Sequence, residues 1–174
     1  KRVTETVKSE SDSIEPLYEK HENITFFKGR GVFVGNKVVA VNGVQLTAAK
    51  IFVVVGARAA IPDIPGLSDT PYMTYTQALR LTKQPKKMLV IGAGFIAVEL
   101  GYFYGALGTN VEFVVRSTFL RQYDEDIRST FSEAFKKRYT CYEGAGITRV
   151  RYENSQFKVT LDKGDHSEER VYDQ

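Results

Sequence analysis

The feature that most constrains this chain is a glycine-spaced turn, G-x-G-x-x-A, formed by Gly92, Gly94 and Ala97. It follows directly on the apolar run MLVI and opens a stretch with helical spacing of apolar residues. Gly92 allows a sharp turn out of a strand, Gly94 allows a ligand to approach the backbone, and Ala97 allows close helix packing. Because a helix start offers free N–H groups and a positive dipole end, the pattern predicts a dinucleotide phosphate site. A glycine-rich turn without a ligand is the alternative.

The sequence around this turn predicts an α/β fold of Rossmann type, with a parallel sheet and flanking helices. Strands are expected over 88–92 and 111–115, and helices over 94–107 and 124–139. Gly108 is placed to end the first helix in the left-handed conformation. The predicted buried stripes are Ile96, Leu100, Phe103 and Leu107 on the first helix, and Ile127, Phe131, Ala134 and Phe135 on the second.

Antiparallel β-meanders are expected on both sides of this unit. The first follows an amphipathic covering helix, disturbed at Pro16, whose apolar residues are Val3, Val7, Ile14 and Leu17. Its strands are ITFFKG, GVFVG and KVVAV, and it delivers a buried strand over 51–55. The second contains Ile147, Phe157, Val159 and Leu161. The prolines of IPDIPGLSDTP place a boundary near Leu67, so we predict domains at 1–66 and 67–174.

The end of the second predicted parallel strand bears on the choice of cofactor. An NAD site normally has an acidic residue there to accept a hydrogen bond from the ribose 2′-hydroxyl, whereas this chain has Arg116. A guanidinium pairs well with a phosphate dianion, so NADP(H) is favoured over NAD(H), with Ser117 and Arg121 as further contacts. Solvent-facing arginines at a strand end are the alternative reading of Arg116 and Arg121.

Composition excludes several other classes of function. The 174 residues carry a net charge of +3 that is not gathered into a basic arm, which argues against nucleic acid as a partner. Cys141 is the single cysteine and only two histidines are present, so no metal site is expected. No apolar run is long enough for a membrane span, and the expected location is the cytoplasm with a reduced thiol.

The longest motif, VIGAGFIAVELGYFYGALGTNVEFVVRSTFLRQYDEDI, resembles the nucleotide-binding core of the pyridine nucleotide-disulfide oxidoreductases. That family includes dihydrolipoamide dehydrogenase and the glutathione, mycothione and mercuric reductases. KIFVVVGARAAIPDIPG is similar to the segment that joins its FAD domain to its NAD(P) domain, and TYTQALRL to the short helix that follows, with Thr74 and Gln77 spaced as a capping box. The resemblance implies a flavoprotein fold with two dinucleotide-binding domains, incomplete in this chain.

The resemblance also implies roles for individual residues. Phe95, beside Ile96, occupies the position that gates the nicotinamide pocket next to the flavin, and Glu99 that of a glutamate near the active disulfide. Arg30, Gly31 and Gly56 resemble backbone contacts to FAD in the parent enzyme. Val55 departs from the threonine of the family.

The family's cysteine pair, first FAD glycine motif and histidine-glutamate pair are not found in this sequence, so we expect a central piece of a larger enzyme without catalytic residues of its own. The parent would be a cytoplasmic homodimer of redox homeostasis that transfers hydride between nicotinamide and flavin to reduce or oxidise a disulfide or dithiol. The isolated piece is expected to be inactive and without bound flavin. A self-standing nucleotide-binding regulatory module is the alternative.

Overall fold

The computed structural model describes residues 2–174, with the side chains described from residue 4 onward. The chain divides into two compact units, one ending at Arg58 and one comprising Ala59–Gln174. The segment before the predicted boundary belongs to the second unit, where the Val150 N–H donates to the Pro65 carbonyl at 2.9 Å. The domain bounds 1–66 and 67–174 stay a prediction.

The first unit contains one helix and a three-stranded antiparallel sheet. Helix α1 (Arg2–Glu19) includes Pro16 and is followed by β1 (Val32–Gly35), β2 (Val38–Val41) and β3 (Val44–Thr47), in the order β1-β2-β3. Asn42 and Gly43 both have positive φ angles, 50° and 81°, as a two-residue hairpin turn between twisted strands requires. The predicted helix and the two strands GVFVG and KVVAV are confirmed.

Three expectations for this unit are wrong. ITFFKG is not a strand, and residues 51–55, predicted as a buried strand, form no regular element and leave Val54 89% exposed. An apolar run becomes a buried strand only with ladder partners and a covering layer, and within the described residues none pairs with this run. Helix α1 does not bury its predicted apolar residues Val7, Ile14 and Leu17, although Tyr18 at its end lies near Phe26, with ring centroids 6.1 Å apart. The side chain of Val3 lies outside the described set.

The second unit is built on the parallel sheet that the sequence predicts. Strands β4 (Lys87–Ile91), β5 (Asn110–Val115) and β6 (Thr140–Glu143) are adjacent in that order and run parallel. Helices α3 (Phe95–Ala106) and α4 (Glu125–Lys136) connect them, and Gly108 has a φ of 98° after α3. A short helix α2 (Tyr75–Ala78) begins with the expected capping box between Thr74 and Gln77.

Helix α3 follows its predicted apolar stripe only at Leu100, which packs against the core. Its buried residues are Gly101 and Tyr104, whereas Ile96, Phe103 and Leu107 are exposed. A Cβ on Gly101 would overlap the ring of Phe113 on β5. The helix therefore approaches the sheet at Gly101, since only a residue without a side chain permits contact between backbone and aromatic ring there.

Helix α4 follows its predicted stripe in part. Phe131 packs against the core and Phe135 is buried, but Ile127 and Ala134 are exposed. Tyr139, just beyond the helix, completes an aromatic cluster with Phe113, whose ring centroid lies 5.6 Å away. This cluster fills the space between both helices and β5.

The second meander, predicted from Ile147, Phe157, Val159 and Leu161, is confirmed and has three strands. β7 (Gly146–Glu153), β8 (Gln156–Asp162) and β9 (Ser167–Tyr172) form an antiparallel sheet in that order. Beyond β9, the chain runs alongside β4, where the Leu89 N–H donates to the Gln174 carbonyl at 2.9 Å. The strand pattern of SEERVY was missed because charged residues occupy three of its six positions.

A buried carboxylate on β5 joins the parallel sheet to this meander. Glu112 is 5% exposed and accepts hydrogen bonds from the hydroxyls of Tyr142 on β6 and Tyr172 on β9, each at 2.8 Å. Lys87 on β4 pairs with its other oxygen at 3.1 Å. Burial by itself raises the pKa of Glu112, but these donors outweigh burial and hold the pKa below its ordinary value. The carboxylate stays ionised and fully bonded.

Substitution of Gly101 by alanine tests the close approach of α3 to β5. The added methyl group meets Phe113, which is 0% exposed and enclosed by other rings, so the ring cannot swing away. We expect Gly101→Ala to lower the free energy of unfolding by about 1 to 3 kcal/mol, measured by urea denaturation. Gly94→Ala is the control, because a Cβ there meets no atom within 4 Å. Equal stability of the two variants would contradict this packing.

The thiol of Cys141 is expected to be structural and slow to react. It lies on β6, partly buried against the aromatic cluster, and burial followed by the charge of Glu143 raises its pKa to about 11. At pH 8 only about one thiol in a thousand is then ionised, and the thiolate is the reactive form. Labelling with an aromatic disulfide reagent is expected to be slow in the folded protein and fast in urea. Rapid stoichiometric labelling of the folded protein would overturn the assignment.

Candidate functional site

The glycine turn connects β4 to α3 at the carboxyl edge of the parallel sheet. Gly92 has a φ of 122°, a conformation that side chains rarely adopt, and its N–H donates to the Val114 carbonyl of β5 at 3.0 Å. Gly94 is extended and forms the N-cap of α3. A Cβ built on either glycine meets no atom within 4 Å, so the turn borders open space. This space is where the backbone can receive a ligand without steric hindrance.

The start of α3 presents free backbone donors to that space. No side chain caps the helix at Gly94, and its first turn contains no acidic residue. The bond from the Val98 N–H to the Gly94 carbonyl, 3.1 Å, closes the first turn, and the N–H groups before it have no helical acceptor. Together with the positive end of the helix dipole, these donors suit an anion such as a diphosphate.

The segment that follows β5 carries the predicted basic residues to the same edge. β4 and β5 are parallel with Ile91 opposite Val114, so Arg116, two residues later, lies at the edge where the glycine turn begins. Arg116, Ser117 and Arg121 are all exposed. No acidic residue occupies the end of β5 itself; the neighbouring carboxylate, Glu143 on β6 opposite Val115, is paired with Lys136 at 2.8 Å.

Sequence reasoning missed the contact that brings these two groups together. The Leu120 N–H donates to the Ala93 carbonyl, within the glycine turn, at 2.8 Å. Phe119 beside it is completely buried among the rings of Phe113 and Phe135. The only signal in the sequence was the apolar pair Phe119-Leu120 between Arg116 and Arg121. The sequence does not show which backbone groups form hydrogen bonds.

The other residues predicted for the site lie on α3 and in the first unit. Phe95, Ile96 and Glu99 are exposed on the first turns of α3, and Ala97 is partly buried. Arg30, Gly31 and Gly56 belong to the first unit, where Arg30 and Gly31 precede β1. Gly56 has a φ of 69° with nothing near its Cβ position.

Other kinds of site were also sought among the described residues. No group of histidine, cysteine, aspartate or glutamate side chains in residues 2–174 is arranged to hold a metal ion. In the same part of the chain, no helix combines the length and apolarity needed to cross a bilayer. An open cavity of about 520 Å³ lies in the first unit between the β1–β2 turn and residues 49–53, and none of the predicted site residues lines it.

The sequence and the fold were compared with known proteins. The family model for pyridine nucleotide-disulphide oxidoreductase matches residues 2–172. A mercuric reductase of Bacillus cereus is 34% identical over 165 residues, which is 90% of this chain and 26% of the relative. Dihydrolipoyl dehydrogenase 1, mitochondrial, of Arabidopsis thaliana is 27% identical over 172 residues, 95% of this chain and 34% of the relative.

The solved structure of the HOCl-induced flavoprotein disulfide reductase RclA from Escherichia coli has a similar fold. It matches with a TM-score of 0.81 and 25% identity, covering 99% of this chain and 40% of that protein. The chain thus spans between about a quarter and two fifths of the proteins that it matches.

These comparisons confirm the α/β flavoprotein fold and the resemblance on which the sequence analysis relied. The relatives named are all oxidoreductases, and the family implies FAD and a nicotinamide dinucleotide as cofactors. The match extends through both units rather than over the glycine turn alone, and the chain therefore belongs to the pyridine nucleotide-disulphide oxidoreductase family.

Proposed function

We propose that this chain is the NAD(P)H-binding segment of an FAD-dependent disulfide oxidoreductase and that it favours NADP(H) over NAD(H). The observation that carries the proposal is the open glycine turn at the uncapped start of α3, bonded directly to the arginine-bearing segment after β5. Diphosphate and ribose subsites of one dinucleotide require this adjacency. That the named relatives are enzymes favours this function over a regulatory module.

The diphosphate would lie against Gly92 and Gly94. Because neither glycine has a Cβ and no protein atom occupies that position, the phosphate oxygens can approach the backbone. The N–H groups of Phe95, Ile96 and Ala97 then provide charge-assisted hydrogen bonds, supported by the dipole of α3. These contacts are common to NADP(H) and NAD(H), so they provide affinity without discrimination.

Discrimination would come from the segment after β5. Arg116 and Arg121 each offer a guanidinium to the 2′-phosphate of NADP(H), and the hydroxyl of Ser117 offers one further donor. All three are exposed, so they retain much of their hydration and are screened by salt. The preference is therefore expected to be largest at low ionic strength.

The nicotinamide end would lie near the exposed first turns of α3. Phe95, 49% exposed, is free to cover the nicotinamide pocket, and Glu99 lies one turn further along. When bound, the two cofactors supply the hydride exchange between nicotinamide and flavin. In the whole protein, Arg30, Gly31 and Gly56 would contact FAD, where the positive φ and open surroundings of Gly56 leave room for a close approach.

The disulfide chemistry itself is assigned to parts of the protein outside this chain. Cys141 is the single cysteine, and its raised pKa opposes a nucleophilic role. We therefore assign no catalytic residue here, and we expect the isolated segment to be inactive. The whole protein is proposed to be a cytoplasmic homodimer that acts on a disulfide or dithiol in redox homeostasis.

Reversal of charge at Arg116 tests the cofactor preference. Loss of a charge-assisted contact and repulsion from the new carboxylate are expected to weaken NADPH binding by Arg116→Glu on the order of tenfold to a hundredfold, while NADH binding is retained. Affinities are measured by isothermal titration calorimetry on the full-length protein at two salt concentrations. Arg149→Glu, the same change at an exposed site on β7, is the control and is expected to have little effect. Equal affinity of the wild type for both cofactors would return the choice to NAD.

Obstruction of the glycine turn tests the diphosphate site separately. Gly94 has φ and ψ angles of −78° and 173°, which alanine adopts without strain, and its Cβ position is empty. Gly94→Ala is thus expected to fold with wild-type stability and to lose affinity for NADPH and NADH alike, by about tenfold or more from lost phosphate hydrogen bonds. Calorimetric titration with both cofactors provides the measurement. Unchanged affinity in the alanine variant would remove the diphosphate from this turn.

A further inference from the structure

The segment between β5 and α4 is fixed to the glycine turn by its backbone. Leu120 donates its N–H to the Ala93 carbonyl at 2.8 Å and accepts a hydrogen bond from the Tyr123 N–H at 2.9 Å. Phe119, immediately before it, is buried in the aromatic cluster. Arg121 therefore lies inside a closed turn whose first residue is bonded to the phosphate-binding loop.

Leu120 adopts a backbone conformation that leucine rarely has. Its φ is 51°, in the left-handed region where an L-residue with a Cβ is destabilised. The other non-glycine residues with positive φ in the described part of the chain lie in hairpin turns of the two meanders, where turn geometry requires that sign: Lys37, Asn42, Asn154 and Ser155. Leu120 lies in no hairpin; its N–H is bonded to Ala93, and its positive φ turns the chain that follows, with Arg121, away from that bond.

This conformation sets the distance between two parts of the nucleotide site. The glycine turn is tied to β5 through Gly92 and Val114, and to the following segment through Ala93 and Leu120. Arg116 follows the first tie, and Arg121 follows the second. A phosphate on the adenosine ribose has to reach both arginines while the diphosphate stays at the start of α3, so the two ties define the permitted spacing.

We propose that Leu120 is a positioning residue for cofactor choice. Its left-handed backbone, with its N–H bonded to the Ala93 carbonyl, holds Arg121 within reach of a 2′-phosphate. The inference rests on the proposed function, in which NADP(H) binds at this edge. Leu120 itself touches no part of the nucleotide in this scheme. Its contribution is therefore to the difference between NADP(H) and NAD(H), not to their common affinity.

A pair of substitutions separates backbone conformation from side-chain packing. Leu120→Val keeps an apolar side chain but is β-branched, which opposes a positive φ, whereas Leu120→Asn favours the left-handed region and removes the apolar contact. Leu120 is partly buried against the core, so the asparagine variant is expected to be the less stable of the two in thermal denaturation. If the role of Leu120 is purely structural, the asparagine variant is also expected to be the more impaired in cofactor binding.

The positioning role predicts the opposite order for cofactor preference. In the full-length protein, Leu120→Val is expected to weaken NADP⁺ binding by about tenfold and NAD⁺ binding by less than about twofold, because one phosphate contact is lost. Leu120→Asn is expected to keep the wild-type ratio. Ser155→Val, a β-branched substitution at a φ of 60° in the β7–β8 turn, is the matched control and is expected to leave both affinities unchanged. Isothermal titration calorimetry gives both dissociation constants.

The possible outcomes distinguish this inference from the function on which it rests. If the wild type prefers NADP⁺ and the Leu120→Val variant has the same preference, the positioning role is overturned and the proposed function is left intact. A wild type that binds neither cofactor, or both equally, overturns the proposed preference and this inference together. If Leu120→Val does not fold, Leu120→Ile replaces it: isoleucine is also β-branched and opposes a positive φ, and it restores the side-chain volume that valine lacks, so an unchanged ratio in that variant overturns the role equally.

Discussion

The close approach of α3 to β5 is the contact on which the second unit depends. It is possible because Gly101 has no side chain where the ring of Phe113 lies. In the same way, a Cβ on Gly105 would lie only 2.6 Å from the ring of Tyr139. The aromatic rings of β5, α4 and the segment between them fill the resulting layer with edge-to-face contacts. The height of the helix above the sheet, and hence the place of its first N–H groups, follows from this layer. Phe119 belongs to the same layer, so one cluster determines both halves of the nucleotide site.

The opposite face of β5 combines apolar packing with electrostatics, because Val114 lies in a second apolar cluster with Leu161 and Tyr172. Glu112 interrupts an otherwise apolar strand and gathers one donor from each of three other strands. Removing such a group without its partners would leave two tyrosine hydroxyls and an ammonium group without an acceptor, a larger cost than the loss of one hydrogen bond. The bond from Tyr172 on β9 joins the meander to the parallel sheet, and Tyr142 on β6 donates to the same oxygen.

The sequence predicted those parts of the fold that are encoded locally. The β4-turn-α3-β5 order, the left-handed Gly108 and the capping box at Thr74 each depend on residues close to one another in the chain, and each is confirmed. The packed face of α3 was predicted wrongly because apolar residues occur all round that helix, and only the tertiary partner Phe113 shows which face is buried. The run at 51–55 failed for a related reason: its residues are typical of a strand, but pairing is not a property of the run itself.

The candidate site likewise has parts that could be predicted from the sequence and parts that could not. The glycine turn and Arg116 were recognised from spacing and from their position at strand ends, and the structure places them at one edge of the sheet. The Leu120 to Ala93 bond could not be foreseen, since it joins backbone atoms distant in sequence and uses a conformation that leucine seldom adopts. Glu112 was likewise missed, because its burial is explained only by donors from β4, β6 and β9.

The exposed run at 51–55 has a consequence for the behaviour of this chain among other copies of itself. Phe52 to Val55 are four successive apolar residues whose side chains are exposed and which have no strand partner among the described residues. Such a run can nucleate cross-β aggregates. Lys50 precedes the run and Arg58 follows it, and charges at such positions act as gatekeepers against edge-to-edge growth. Because the run stays exposed in the folded chain, the two flanking cations are its protection against pairing with the same run of another copy.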